Sequence, residues 1–311
     1  MYFDEEIVLD VRLNTLNDFV DYFVIVESKF THRGEKRDLK FNHEKFKKFK
    51  DKIIYLIYDK EPTQIEIVKP EDNEGEKSGK YILNAAYREN GQRNLIQEGL
   101  LNAKDNDIIL ISDVDEIPNL SEINFNKINQ KIFLFKQNMF YYKFNLHMPN
   151  LKWTGTKGCK KKDLVNPQWL RNIKDRKYSA FRLDTFFSDK KYSSVKIIED
   201  GGWHFCNLKN PEQLLYKYKN LCETNDPYVF KEKIDEKFLD VKLIEQNIKL
   251  GLDIIGRDES YYKIEIDKSF PKYIFNNRTT FNILSRIVII ATNFIIFEKH
   301  NVLQYNCYKT F

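Results

Sequence analysis

Carboxylates crowd into one short stretch, Asp107-Ile-Ile-Leu-Ile-Ser-Asp-Val-Asp-Glu-Ile-Pro118. Ile108 to Ile111 are four consecutive apolar residues and read as a strand buried on both faces. Asp113, Asp115 and Glu116 follow at once. Pro118 has no N–H for further ladder pairing, so the strand is expected to deliver its acids to a sheet edge. In an open α/β sheet the crevice beyond the carboxyl ends of the strands is where ligands bind. On a straight strand Asp113 and Asp115, two apart, share a face. Like charges held that close repel unless a cation joins them. A hard divalent ion with positions open to phosphate oxygens would remove the repulsion and recruit a nucleotide diphosphate. The competing reading is a solvated acidic turn, and the strand before it and the proline after it count against that.

A second informative stretch is Lys196-Ile-Ile-Glu-Asp-Gly-Gly-Trp-His-Phe205, where a strand enters two glycines that permit a tight backbone before Trp203 and His204. His204 is a candidate metal ligand through a neutral imidazole, set against an ordinary packed, hydrogen-bonded histidine.

Other elements must position these groups. Residues 4–18 read as an amphipathic helix with Asp4 as its cap, and 20–27 as a buried strand closing on Glu27. A loop with one glycine and several cations follows over 28–37, and 53–58 is a second strand. Residues 60–80 form a polar loop. Residues 81–104 read as a helix, breaking at Asn90-Gly91, that carries Arg88 and Arg93 toward the acidic crevice. A short helix is expected over 120–129, and aromatic strands over 132–136 and 139–144. Trp153-Thr-Gly-Thr156 reads as a turn with an exposed indole. Asn210-Pro211 starts a helix, with Asn210 as cap and Gln213 three residues on. More helix runs to about Gly251, and Pro271 ends the clearly globular pattern. The apolar run from Ile287 to Phe297 is eleven residues long, short of the roughly twenty that a membrane span needs. A buried helix or strand is favoured over a peripheral membrane contact.

The chain's 311 residues, 42% hydrophobic and 31% charged, suit an ordinary globular protein. The net charge of +5 is modest, and its basic clusters at 45–50 and 157–177 come with no nucleic-acid motif, so no nucleic-acid partner is expected. Four cysteines without CxxC pairs argue against a zinc framework or disulfides. The first thirty residues hold no long apolar run, so neither signal peptide nor anchor is expected there. The expected location is cytoplasmic, with membrane association through the tail as an option.

Several segments together resemble glycosyltransferase family 17, the β-1,4-mannosyl-glycoprotein 4-β-N-acetylglucosaminyltransferase family. They are Phe3-Asp-Glu-Glu, Arg12-Leu-Asn, the 20–28 strand, Thr31-His-Arg-Gly34, Gln92-Arg-Asn94, Ser112-Asp-Val-Asp-Glu-Ile-Pro118 and Gly201-Gly-Trp-His-Phe205. The resemblance implies a GT-A fold, with a Rossmann-like mixed sheet flanked by helices over residues 1–277, and leaves 278–311 as an apolar tail. It also implies a UDP-sugar donor, UDP-N-acetylglucosamine in particular, a glycan or glycoconjugate acceptor, inversion at the anomeric carbon, and Mn2+ (or Mg2+). Asp113 and Asp115 then hold metal and diphosphate, with His204 as third ligand. Cys206 departs from the family pattern, in which serine is expected.

An inverting displacement needs a base for the acceptor hydroxyl and positive charge on the leaving diphosphate. Asp200 is the first candidate base, Glu116 the second and Glu223 the third; each has a helix cap or ion pair as its plain alternative. Glu27 is a candidate for the nucleoside, Arg93 for the diphosphate and Trp203 for stacking on a sugar ring, against capping, solvent-facing and core roles. Two other functions compete: a catalytically silent sugar or nucleotide binder, and an aspartate-nucleophile phosphatase, for which Glu116-Ile117 is the wrong sequel.

Overall fold

The computed structural model describes residues 1–176, 178, 187–220, 240–254 and 259–287. Glu223, Cys222, Cys307 and nearly all of the apolar run after Ile287 lie outside them.

Helix α1 (Glu6–Leu16) buries Val8, Leu9, Val11, Leu13 and Leu16. It packs beside strands β1 (Phe23–Ser28) and β2 (Ile53–Tyr58), a parallel pair that forms a small sheet of its own. Helix α2 (Glu74–Asn94) starts seven residues before the expected 81, because Asn73 and Glu76 exchange side-chain and backbone hydrogen bonds in a capping box. It runs through Asn90-Gly91 without a break and passes into a 3-10 segment, Leu95–Leu100.

Strand β3 (Ile108–Ile111) has its expected limits and packs on both faces: Ile109 and Ile111 are buried in one apolar cluster, and the partly buried Ile108 and Leu110 pack against another. Four residues on, the chain forms a further strand, β4 (Glu116–Pro118). Next come the long antiparallel pair β5 (Ile132–Tyr141) and β6 (Leu146–Lys160), helix α3 (Pro167–Asn172), and strands β7 (Val195–Ile198) and β8 (Gly202–Cys206). The large sheet runs β3-β6-β5-β8-β4. β7 lies parallel to the first half of β5, and a short strand β9 (Tyr262–Lys263) pairs with β6.

This order places β3 and β4 at opposite ends of one sheet although only Ser112 to Asp115 separate them. The sheet must therefore curl until its two edges nearly meet, and the acidic loop is the link between them. Strand β4 ends at Pro118, as the sequence indicates, and Pro118 itself pairs opposite Gly202, on an edge strand where a missing N–H is tolerated.

The expected helix at 120–129 is only a 3-10 turn, Phe125–Lys127, where the Asn124 side chain captures a local backbone N–H. The two aromatic strands expected at 132–144 are one continuous strand with bulges, and Trp153-Thr-Gly-Thr156 lies within β6, not in a turn.

Helix α4 (Pro211–Asn220) starts as the sequence indicates: Gln213 N–H donates to Asn210 Oδ1 at 2.8 Å, and Asn210 N–H donates back to Gln213 Oε1 at 3.1 Å. Helix α5 (Val241–Leu250) ends on left-handed Gly251. Helices α6 (Lys272–Asn276) and α7 (Arg278–Ile287) follow Pro271. They carry Ile274 and Phe281 into an aromatic core with Phe133, Phe135, Phe140, Phe144 and Phe205. No helix among the described residues is long and apolar enough to cross a membrane. The architecture is a mixed α/β fold built on a curled sheet.

Candidate active site

The loop from Ser112 to Asp115 is a turn, with Glu116 N–H donating to the Asp113 carbonyl at 3.2 Å. It is pinned from beneath by Arg12 of α1. That guanidinium donates to Ser112 Oγ at 3.1 Å and to the Glu116 carbonyl, while Ser112 Oγ also bonds Thr156 Oγ1 of β6 at 2.9 Å. Burial lowers the Arg12 pKa to about 10, against the opposing pull of Glu116, Asp115 and Asp113.

Because the loop turns, Asp113 and Asp115 take different partners instead of sharing a strand face. Asp113 Oδ1 accepts from Arg93 of α2 at 3.2 Å and Oδ2 from Arg171 of α3 at 2.8 Å. Burial alone would raise its carboxyl; the two arginines outweigh burial and hold it well below the ordinary carboxylate range. Arg93 is itself buried and also donates to Glu89 and Gln168.

Glu116 is fully buried and saturated. Its Oε1 accepts from Trp153 Nε1 and from Arg171, both at 2.7 Å, and its Oε2 from the Asp113 N–H at 2.9 Å. Room for this carboxylate exists because residue 155 is glycine. A Cβ there would lie 2.1 Å from Gln137 Oε1 and 2.7 Å from Glu116 Cδ.

Asp115 faces β8 instead. Phe205 N–H donates to the Asp115 carbonyl at 2.9 Å, which brings His204 opposite Glu116 in the antiparallel register. That register requires Gly202, whose φ is +129° and whose Cβ would meet the Ile117 carbonyl at 2.2 Å. His204 Nε2 then lies 3.3 Å from Asp115 Oδ1 and 3.0 Å from Cys206 Sγ, while Nδ1 lies 3.1 Å from Met139 Sδ. Burial would lower the His204 pKa; Cys206 and Asp115 outweigh it and raise it well above the ordinary value. Burial likewise raises the Asp115 carboxyl, and His204 overcomes that to leave it lowered. Trp153 leans over the group, its ring centre 5.6 Å from that of His204.

As a test of whether a divalent cation fits, the donor atoms divide clearly. Asp115, His204 and Cys206 bring an oxygen, a nitrogen and a sulfur within 4.8 Å of one another. Each oxygen of Asp113 is already matched by an arginine, so Asp113 holds cations of the protein itself. The same pairing leaves it poorly disposed as a phosphatase nucleophile.

Three other sequence candidates lie apart from this cluster. Glu27 is buried, with both oxygens spent on Arg37, the Lys40 and Phe41 N–H groups and Tyr55. Trp203 is a core residue whose indole donates to the Ser269 carbonyl at 2.9 Å. Asp200 sits on the exposed β7–β8 turn, paired with Lys152 at 2.5 Å, because β8 carries the chain away from it before reaching His204. Glu223 is outside the described residues. In their place the fold gathers Arg12, Trp153, Arg171 and Cys206. Arg12 and Cys206 stood inside or beside quoted motifs, and Arg171 stood in a basic run; only Trp153 carried a contrary signal, since its Thr-Gly sequel reads as a turn.

Comparison with known proteins agrees with the motif pattern. A family profile described as Glycosyltransferase family 17 matches residues 1–272. The chain is 25% identical over 297 residues to proteins named beta-1,4-mannosyl-glycoprotein 4-beta-N-acetylglucosaminyltransferase from Homo sapiens and Rattus norvegicus. The alignments cover 89% of this chain and 52% of each relative, so the chain spans about half the length of the curated relatives it matches. No solved structure matches.

Proposed function

The chain belongs to glycosyltransferase family 17, and from that premise we propose that it transfers N-acetylglucosamine from a UDP-sugar to a glycan hydroxyl, with inversion, on a GT-A-type fold. One observation carries the reading: the acidic loop is a constructed site, held by arginines from three helices and faced by a histidine from β8. Solvated turns are not built this way, since each buried ion pair needs its own hydrogen bonds to offset desolvation.

In this reading Asp115 and His204 hold a divalent cation. When bound, such an ion supplies positive charge against the departing diphosphate. Arg171 adds fixed positive charge beside it, anchored by Asp113 and Glu116. The half-exposed Trp153 ring offers a face for sugar stacking. Glu116, engaged on both oxygens, acts as scaffold for Arg171 and Trp153 and not as a base.

The test is a donor screen: UDP-N-acetylglucosamine, UDP-galactose and UDP-glucose with added divalent cation, read by thermal shift, then UDP release on an acceptor array that includes a β-mannosyl glycopeptide. The expected outcome is stabilisation and turnover with UDP-N-acetylglucosamine. Binding of UDP without turnover on any acceptor would establish a silent binder instead.

A further inference from the structure

Three atoms bearing lone pairs converge where β8 meets the acidic loop: Asp115 Oδ1, His204 Nε2 and Cys206 Sγ. His204 and Cys206 are two apart on a strand and so present nitrogen and sulfur to the same side. On the far side of the ring, Nδ1 faces the Met139 thioether at 3.1 Å. A thioether can only accept, so a neutral ring keeps its proton on Nδ1 and turns the Nε2 lone pair toward the carboxylate and the sulfur. Lone pairs packed together in a buried place repel unless a proton or a metal ion stands among them. The sulfur makes the second solution chemically specific.

We infer that Asp115, His204 and Cys206 together bind a borderline cation of the zinc or cobalt class, with Cys206 as thiolate and Asp113 outside the ligand set. Metal–ligand lengths of about 2.0 Å to nitrogen and oxygen and about 2.3 Å to sulfur give tetrahedral ligand–ligand edges of roughly 3.3 to 3.6 Å. The two edges at His204 measure 3.3 and 3.0 Å and the third is within 4.8 Å, so side-chain shifts on the order of an ångström close the set. On binding, the Cys206 thiol passes its proton to solvent, and sulfur, Nε2 and Oδ1 each donate an electron pair. Three protein ligands leave a tetrahedral ion a fourth position for water or a phosphate oxygen. Manganese and magnesium prefer all-oxygen surroundings, so the thiolate selects against them. The inference deepens the proposed function by naming the cation, but the binding itself requires no sugar nucleotide.

The experiment is titration of the unaltered full chain with cobalt(II). A sulfur-to-cobalt charge-transfer band in the near ultraviolet is expected, saturating at one ion per chain, lost in Cys206→Ser and kept in Cys159→Ser, which alters a buried thiol in a separate cluster. Cys206 is buried and its replacement can disturb folding, so competition on the wild-type chain is the second measurement. An equivalent of zinc should bleach the band, and a large excess of manganese should not. Absence of the band, its survival in a folded Cys206→Ser chain, or equal bleaching by manganese would each overturn the inference. A band without turnover of any UDP-sugar upholds the site and removes the transferase reading; manganese-supported turnover without a band does the reverse.

Discussion

Acids sit at the ends of two strands, the single Glu27 on β1 and a cluster of three after β3, and different donors hold them. Glu27, on β1, is wholly buried, and two of its four partners are backbone N–H groups, those of Lys40 and Phe41. It clasps the segment after β1 onto the small sheet. Around Asp113, Asp115 and Glu116 the partners are mainly side chains: Arg93, Arg171, Trp153 and His204. There Asp113 and Asp115 keep 28% and 17% of their side-chain surface open. A carboxylate spent on fixed backbone amides can only hold the fold together. One matched by side-chain cations, with surface remaining, can exchange a partner for a ligand.

The contrast can be broken by substitution. The largest effect is expected for Asp115→Asn, which should reduce kcat/KM with UDP-N-acetylglucosamine by a hundredfold to a thousandfold, on the order of several kcal/mol of transition-state stabilisation. Some loss of stability is expected with it, since His204 is left buried without its counter-charge, so activity is compared in the folded chain; retained activity would take Asp115 out of the site. Next comes Glu27→Gln, expected to destabilise by about 3 kcal/mol because it leaves Arg37 buried without its counter-charge. A denaturation curve checks this. The KM for the donor should hardly move in the chain that remains folded, and a selective rise in that KM would give Glu27 a nucleoside role.

Gly155→Ala sharpens the same comparison from the packing side. Its Cβ competes with the Glu116 carboxylate, so a loss of about 1 to 3 kcal/mol is expected, together with a fall in activity. Thermal unfolding and initial rates report the two separately. The smallest effect belongs to Asp200→Asn. Its exposed pairing with Lys152 contributes little, and the transfer rate should remain within a few-fold of wild type. A hundredfold fall in rate would make Asp200 the base after all.

Much of the scaffold was legible. Ile53–Tyr58 and Ile108–Ile111 form strands with the limits that their apolar runs indicate, and Asn210 with Gln213 caps α4 through the expected reciprocal bonds. Less legible was the start of α2, where the Asn73–Glu76 box lies hidden in a charged stretch that reads as loop. Trp153 was misplaced for a related reason. Thr-Gly-Thr is a turn signal when read locally, whereas here the glycine serves as clearance for Glu116.

The chain's own order of residues determined the short-range facts: where strands and helix caps fall, that acids follow β3, and which motifs group it with its family. Only tertiary structure decided which acid meets which partner. Arg171 reaches Asp113 across 58 positions, Trp153 reaches Glu116 across 37, and Arg12 reaches Glu116 across 104. Periodicity and capping act over a few residues, whereas these contacts depend on how the sheet curls and on the register of β8 against β4. A one-residue slip in that register would turn His204 and Cys206 away from Asp115.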